Sequence, residues 1–460
     1  MAAERVSERV SMVVFEGGGY ASEAEGIVAK VRKAIVLDLI ELAGEIREID
    51  EVLLVTGYED LVKPAQKLGA AVDLDRIDSP FSFGQRLRDV INDYHLQNVL
   101  YFGGAAAPLI SREDLTRMAL ALKEQKNLVM ANSFNSADFV AFTPGAAINN
   151  IELPVIDNPL AKRLHNEAGL RMGMIEPNLS TNFDVDTPID VMVLGVQPRT
   201  GARTKRTIRG LELNLSRLEI TKKILVDPEA EVLIYGRINP DTNAYLNNSA
   251  RCRLRLLVEE RAMRASGRLD RGEARSILGI LLEQRSPREF FHCLAELCQC
   301  AFLDTRVLFA HLKKSVSKSD RFNSDLGNYQ AIEDELVREF TREAAAAPIP
   351  VVCGGHALVN GGVWAMIDAA NIEKLGRNNE DKIHRIVVEL GAPICGLTVD
   401  VLINYLDLNI KVVAITDAYS TRIDPPLSME IQAGQVLYIL GSDKQVNYFL
   451  EYVSPNRSLD

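Results

Sequence analysis

The stretch VSMVVFEGGGYASEAEGIVAKV, residues 10–31, decides the fold of the N-terminal part of the chain. A short apolar run predicts a strand over 11–15, three glycines at 17–19 predict a turn, and apolar residues at helical spacing predict a helix over 22–43. A strand that passes through a glycine turn into a helix is typical of a parallel α/β sheet. In such a sheet, ligands bind outside the carboxyl ends of the strands.

The same alternation of strand and helix continues along the first 195 residues. Further strands are predicted over 51–56, 70–74, 98–102 and 127–131, and a helix over 83–94. The fourth strand ends in Gly103 and Gly104, so both glycine clusters follow strand ends. We therefore expect an N-terminal α/β domain over 10–196, with parallel pairing and one crevice lined by both glycine turns.

A second α/β unit is expected over 229–380, after a linker over 197–228 whose basic run is predicted to be solvated. Its predicted strands are 231–235, 253–258, 305–309 and 349–353, and its predicted helices are 274–282, 287–300, 328–347 and 364–370. The last strand runs into Gly354, Gly355 and His356. This histidine is either a general acid/base or phosphate ligand, or part of an ordinary strand–helix turn.

A third, small unit is expected over 385–455, beyond a polar stretch over 378–381. Its apolar runs predict strands over 410–416 and 435–440. A unit of this size is small enough that dimerisation would stabilise its fold.

Composition excludes several classes of protein. The chain has 460 residues, 47% of them apolar, and a formal net charge of −11. An acidic chain repels phosphate backbones, so non-specific nucleic-acid binding is not expected. Because no apolar run reaches the ~20 residues that span a bilayer and residues 1–9 lack the apolar core of a signal peptide, we expect a cytoplasmic protein that is not an integral membrane protein.

The order of the N-terminal motifs resembles the GT-A-like nucleotidyltransferases, such as the molybdenum-cofactor guanylyltransferases and the methylerythritol cytidylyltransferases. The motifs are the strand–GGG–helix unit followed by EVLLVTGYEDL (51–61), VLYFGGAAAPLISREDL (99–115) and NFDVDTPIDVMVL (182–194). The resemblance implies a Rossmann-like, mostly parallel sheet that binds a nucleotide or nucleotide sugar. It also implies that Gly17, Gly18, Gly19, Lys33, Gly103 and Gly104 form the nucleotide site.

One departure from that family bears on catalysis. The aspartate that holds Mg²⁺ after the fourth strand in the family is replaced here by Gly103 and Gly104. Mg²⁺ requires hard oxygen ligands, so nucleotidyl transfer needs another carboxylate. Asp138, Asp184 and Asp186 are the candidates, with Asp184 and Asp186 as the predicted metal ligands; turn and cap chemistry is the alternative role for all three.

The C-terminal segments resemble the RCK C-terminal (TrkA-C) domain. They are APICGLT (392–398), IKVVAITD (410–417), RIDPP (422–426) and IQAGQVLYILGS (431–442). The resemblance implies a small dimeric α/β module of potassium channels and transporters, some members of which bind a cyclic dinucleotide. A homodimer is therefore expected.

Three functions stay open. The first is a nucleotidyl- or glycosyl-type transferase with a regulatory tail. The second is a non-catalytic nucleotide or cyclic-dinucleotide sensor that regulates potassium transport or another partner. The third is an enzyme that acts on a phosphorylated substrate with His356 in its site. Lys33 and His356 are the candidate catalytic residues.

Overall fold

Three sheets organise the chain. The computed structural model describes residues 9–75, 81–104, 106–133, 136–175, 177–264, 266–376, 382–406, 410–417, 420–441, 446 and 449–450. The protein is of the mixed α/β class with a mostly parallel first sheet, as predicted. Among the described residues, no helix is both long enough and apolar enough to cross a membrane.

The first sheet contains seven strands in the order β3-β2-β1-β4-β6-β5-β7. The strands are β1 (Val10–Glu16), β2 (Glu51–Thr56), β3 (Ala71–Leu74), β4 (Asn98–Gly103), β5 (Leu128–Ala131), β6 (Phe139–Thr143) and β7 (Arg171–Met174). The helices are α1 (Glu23–Gly44), α2 (Glu59–Lys67), α3 (Phe83–Asp93), α4 (Arg112–Glu124), α5 (Leu160–Asn166) and α6 (Leu179–Asn182), with a 3₁₀ turn over Gly145–Asn150. The five predicted N-terminal strands are confirmed; β6 and β7 were not predicted.

The prediction that all strands of the first sheet pair in parallel is wrong for β6. It lies between β4 and β5 and is antiparallel to both. The connection from β5 is short, and Asn132 accepts the N–H of Asp138 across it at 3.1 Å. A short connection joins antiparallel strands, whereas parallel neighbours need a crossover of a dozen or more residues.

Helix α1 is buried on two sides, so it belongs to two cores. Ser22 caps it by accepting the N–H of Glu25. Val36 packs on the first sheet, and Val28 packs in a core shared with the second unit. Because Lys318 of that unit pairs with Glu25 at 3.1 Å, the glycine turn before α1 lies near the junction of the two units.

The second sheet is fully parallel, in the order β11-β10-β8-β9. Helices α7 (Pro188–Val196), α8 (Ala202–Arg209) and α9 (Ser216–Leu225) precede it. Its strands are β8 (Glu231–Gly236), β9 (Arg253–Val258), β10 (Cys300–Asp304) and β11 (Val351–Gly354). The remaining helices are α10 (Pro240–Ser249), α11 (Ile277–Gln284), α12 (Pro287–Leu297), α13 (Thr305–His311), α14 (Lys318–Leu326), α15 (Glu335–Ala346) and α16 (Val363–Gly376), with short turns over Tyr329–Ala331 and Leu358–Gly362.

Two predicted elements of this unit are wrong. The strand predicted over 305–309 is helix α13, and the strand ends at Asp304, whose carboxylate is held by Arg237 at 2.6 Å. The single helix predicted over 328–347 is a short turn followed by α15. Its first half is interrupted because the carboxylate of Asp320 accepts the backbone N–H groups of Glu333 and Asp334.

The segment 197–228, for which we predict a linker, carries helices α8 and α9. Ile208, Leu218 and Leu225 of these helices are buried in the shared core. The basic run is also not simply solvated, since Arg203 pairs with Glu41 of α1. These helices join the two sheets through apolar packing.

The third sheet is antiparallel, in the order β12-β15-β13-β14. Its strands are β12 (Lys382–Val387), β13 (Lys411–Thr416), β14 (Thr421–Ile423) and β15 (Val436–Gly441), with helix α17 (Val399–Leu406). Both predicted strands are confirmed. The polar boundary predicted over 378–381 lies outside the described residues.

Candidate functional site

The two glycine turns lie side by side, as predicted. Strands β1 and β4 are parallel neighbours, and the N–H of Gly104 donates to the carbonyl of Phe15 at 2.8 Å. Gly18 has a φ of +111°, which favours glycine, and a side-chain carbon at Gly18 or Gly19 would meet no atom of the described residues within 4 Å. As far as the structure describes the chain, the first turn is therefore open at the carboxyl edge of the sheet. Ligand binding there stays a prediction.

A buried ion pair lies beneath these turns. Glu16 has a side chain only 1% exposed, and Arg32 of α1 contacts it through Nε and Nη2 at 3.0–3.2 Å. Burial raises the pKa of Glu16, and the guanidinium of Arg32 opposes that rise. A side chain at Gly104 would collide with this carboxylate. The sequence analysis missed Arg32 and selected its neighbour.

That neighbour, Lys33, approaches the turn from its outer side. Its Nζ lies 2.8 Å from a carboxylate oxygen of Asp60 and 3.9 Å from the ring centroid of Tyr58. The hydroxyl of Tyr58 in turn donates to the carbonyl of Gly18 at 2.5 Å. Lys33 is therefore near the first turn, but its charge is engaged by an exposed carboxylate.

A cluster of metal-ligand type joins the two α/β units. Ligand atoms of Asp184, Asp186 and His356 all lie within 4.8 Å of one another. Asp184 is held near the second glycine turn by an antiparallel bridge to Ala106, whereas His356 follows β11. Within the described residues, none of these three side chains makes a hydrogen bond or ion pair with another residue in the structure. The predicted metal ligands and the predicted catalytic histidine thus share one site.

Further carboxyl groups surround the cluster. Desolvation, followed by repulsion from Asp186 and Asp138, raises the pKa of Asp184 well above its usual range. Desolvation raises the pKa of Asp138 to about 7, although Asn132 donates to it at 2.7 Å. Like charges gathered in a partly desolvated cleft favour a bound cation or protonation.

Asp138 stands beside the second glycine turn. The N–H of Gly103 donates to its carbonyl at 3.2 Å, which brings the start of β6 next to the end of β4. Asp157 lies on the other side and accepts from the hydroxyl of Tyr101 at 3.2 Å. Two acidic residues from later in the chain therefore lie next to the end of β4.

The turn that carries His356 is fixed by Asn360. Its amide donates to the carbonyls of His356 and Arg237 at 2.7 and 3.1 Å and accepts the N–H of Asn239 at 2.8 Å. His356 has an accessible side chain, yet desolvation by the surrounding protein lowers its pKa. Both properties together are expected of a side chain on the wall of a cleft.

Arginine side chains of the second unit act electrostatically on His356 and on one another. Arg237 and Arg264 both oppose protonation of His356. Desolvation and repulsion from Arg306 and Arg264 lower the pKa of Arg321. In the described part of the chain, the side chains of Arg264 and Arg321 make no ion pair. The second unit therefore presents unneutralised positive charge.

A cavity of about 300 Å³ lies elsewhere along α1. Asp38, Glu41 and Glu45 line it together with Arg199. None of the predicted site residues contributes to it, and its three acidic side chains would repel phosphate. The chemistry of the glycine turns and the carboxylates therefore does not involve this cavity.

Comparisons with known proteins concern the N-terminal part of the chain. No family model and no curated protein matches. A CMP:2-keto-3-deoxy-manno-octonic acid synthetase solved with CTP is 15% identical over 39% of this chain and 94% of its own, with a TM-score of 0.30.

Two further solved structures are similar at the same level. A cytidylyltransferase from Leptospira borgpetersenii is 18% identical over 44% of this chain and 94% of its own, with a TM-score of 0.33. A 4-diphosphocytidyl-2C-methyl-D-erythritol synthase from Anaerococcus prevotii is 16% identical over 38% of this chain and 88% of its own, with a TM-score of 0.28.

Proposed function

We propose that the protein binds a nucleotide or nucleotide sugar at the carboxyl edge of the first sheet. The observation that carries this proposal is the pair of adjacent glycine turns, of which the first is open and leads into the N-terminus of α1. Backbone N–H groups in such a turn, together with the helix dipole, favour phosphate groups. The phosphates would lie beside Gly17, Gly18 and Gly19, with the second turn at their flank.

Asp184 and Asp186 are the residues that would hold Mg²⁺. Their side chains converge and make no hydrogen bond or ion pair with another described residue, which fits a cation bound by oxygen ligands. When bound, such an ion neutralises negative charge on phosphate oxygens. Asp138 is close enough to act on Asp184 electrostatically. This arrangement supports nucleotidyl transfer as the reaction to test.

Basic side chains of this chain contribute charge and orientation. Arg32 is 29% exposed behind the first turn and adds positive potential there, although its main partner is Glu16. Lys33 must release Asp60 before its ammonium reaches a phosphate. Arg264 of the second unit acts electrostatically on His356, and Arg264 in turn acts on Arg321. The positive charges of these two residues suit an anionic co-substrate or product.

Gly19→Asp is expected to weaken nucleotide binding, because it places a carboxylate where the phosphates are proposed to lie. We expect the Kd for a triphosphate in Mg²⁺ to rise at least about tenfold, which is roughly 1.4 kcal/mol. Calorimetric titration with each of the four nucleoside triphosphates measures this, and pyrophosphate release tests transfer. Gly210→Asp, at the exposed end of α8, is the matched control. Equal affinities in both variants would refute the site.

We also infer a regulatory role for the C-terminal unit. Arg199, which follows α7, contacts Asp368 of α16 at 2.8 Å and the hydroxyl of Tyr438 in β15. Arg385 of β12 contacts Glu113 of α4 at 3.2 Å. These bonds connect the third sheet to both α/β units, which supports transmission of a signal between them.

The ligand and partner of that unit are part of the same proposal. It includes a homodimer formed through the third sheet, a cyclic dinucleotide as the signal, and a potassium transport system as the partner. We expect the molar mass in solution to be that of a dimer and a cyclic dinucleotide to raise the unfolding temperature of the full chain. If the protein is a monomer and cyclic dinucleotides do not change its unfolding temperature, the regulatory role is refuted. The proposed nucleotide site would be unaffected by that result.

A further inference from the structure

We propose that Asp184, Asp186 and His356 form a binding centre for a divalent transition-metal ion, Mn²⁺ or Zn²⁺, that joins the two α/β units. The centre shares two carboxylates with the proposed nucleotide site. It goes beyond that proposal because it adds a nitrogen ligand from a different unit and requires no nucleotide. The ion would bind to the protein alone.

The spacing of the three side chains fits one ion. Their ligand atoms all lie within 4.8 Å of one another. Ligands at about 2.0–2.6 Å from a metal are separated by roughly 3–5 Å, depending on the angle between them. The observed separations of the three ligand atoms fall within this range.

The backbone holds the two halves of the centre together. Gly361, in the turn after His356, lies so close to the carbonyl of Asn182 and the Cα of Phe183 that no side-chain carbon fits there. Asn182 and Phe183 directly precede Asp184. This contact between backbones fixes the distance between the segment of the first unit and the turn of the second.

The segment that carries Asp184 and Asp186 is also held by a residue that follows it in the chain. Asp190 is fully buried, and its Oδ2 accepts the N–H groups of Asp186 and Thr187 at 3.2 and 2.8 Å. Its other oxygen, Oδ1, is buried and has no partner among the described residues, and the same is true of the Nδ2 of Asn182. Buried polar atoms without a described partner thus flank the ligands in sequence, one before Asp184 and one after Asp186. Such atoms need partners, which the water shell of a bound ion would supply.

The donor set selects the class of ion. Mg²⁺ binds through oxygen atoms, usually one or two carboxylates with water and phosphate. An imidazole nitrogen suits Zn²⁺ and other later transition metals, while carboxylates suit Mn²⁺. One imidazole with two carboxylates therefore favours Mn²⁺ or Zn²⁺ over Mg²⁺, and it leaves positions open for water or a ligand oxygen.

Calorimetric titration of the metal-free, full-length protein with MnCl₂, ZnCl₂ and MgCl₂ tests this centre. We expect one Mn²⁺ or Zn²⁺ per chain, bound at least about tenfold more tightly than Mg²⁺, which is a difference of roughly 1.4 kcal/mol. His356→Ala should weaken Mn²⁺ and Zn²⁺ at least tenfold. Asp186→Asn should weaken all three ions, because it removes a shared oxygen ligand.

His292→Ala is the matched control, since this exposed histidine lies on α12 and, among the described residues, has the carbonyl of Arg288 as its one hydrogen-bond partner. Thermal unfolding without metal verifies that each variant is folded. Mn²⁺ and Zn²⁺ affinities that are the same in wild type and His356→Ala would overturn the proposal, as would a wild-type protein that binds neither ion. A separate titration with nucleotide distinguishes the two proposals. If the protein binds the metal ion but no nucleotide, the proposed function is refuted and the metal centre remains. If it binds nucleotide but neither Mn²⁺ nor Zn²⁺, the metal centre is refuted and the nucleotide site remains.

Discussion

Arg306→Ala is expected to lower the free energy of unfolding by about 3–5 kcal/mol, because it leaves a buried carboxylate without its partner. The two terminal nitrogens of Arg306, Nη1 and Nη2, donate to the two carboxylate oxygens of Asp325 at 2.5 Å, and the side chains are 11% and 0% exposed. Arg306 also donates to Thr305, which donates to the carbonyl of Gly354 in the turn before His356. Denaturant unfolding of the full chain at pH 7 measures the loss.

The matched control is Arg271→Ala, which breaks a surface pair with Glu273 and should change stability little. The effect also depends on pH. Burial raises the pKa of Asp325 even with Arg306 present, and the loss of Arg306 raises it further. The deficit of the variant is therefore full where Asp325 is ionised in both proteins, and it shrinks as the pH falls through the higher pKa of the variant. A deficit that is the same for both arginine variants, or that grows as the pH falls, would contradict this account of the pair.

Gly361→Ala is expected to destabilise the protein by about 1–3 kcal/mol and to weaken metal binding at the centre. The new carbon would collide with the carbonyl of Asn182 and the Cα of Phe183, and neither backbone atom can rotate away. The turn of His356 must therefore move away from the acidic segment. Thermal unfolding and Mn²⁺ titration measure the two effects.

Gly355→Ala is the control for this substitution. Its added carbon would meet only Arg306 and Thr187, at 3.7 and 3.8 Å, which is ordinary contact. We expect its stability and its Mn²⁺ affinity to stay close to those of wild type. If both glycine variants behave alike, the close approach at Gly361 does not set the geometry of the centre.

The glycine turns show how far sequence can predict this site. A strand followed by glycine and then by a helix is a local pattern, and parallel neighbours bring their carboxyl ends to one edge. The adjacency of Gly17–Gly19 and Gly104 could therefore be predicted from two local patterns, each of them a strand followed by glycine. Asp184 and Asp186 were selected because Mg²⁺ requires carboxylate oxygen ligands.

The partnership of His356 with these aspartates could not be predicted. It joins positions about 170 residues apart in different units, and nothing local to either segment specifies the other. The inward position of Arg32 could not be predicted for a different reason. Neighbours on a helix point about 100° apart, so only the packing of α1 decides that Arg32 contacts Glu16 and Lys33 contacts Asp60. The role of Lys33 at the nucleotide site stays a prediction.

The misassigned strand over 305–309 has a tertiary cause. Strand β10 and most of helix α13 are buried alike, so the apolar pattern does not reveal where the strand becomes the helix. The change occurs at Asp304, which is held by Arg237 from another strand end. A tertiary ion pair, rather than a local signal, marks the boundary.

The most direct test of the central claim is a crystal structure of the full chain grown with Mn²⁺ and a non-hydrolysable nucleoside triphosphate. The account predicts anomalous scattering from Mn²⁺ between Asp184, Asp186 and His356, with the phosphates in contact with Gly17–Gly19. A nucleotide bound at another place, or a manganese ion that leaves these three side chains unliganded, would contradict it.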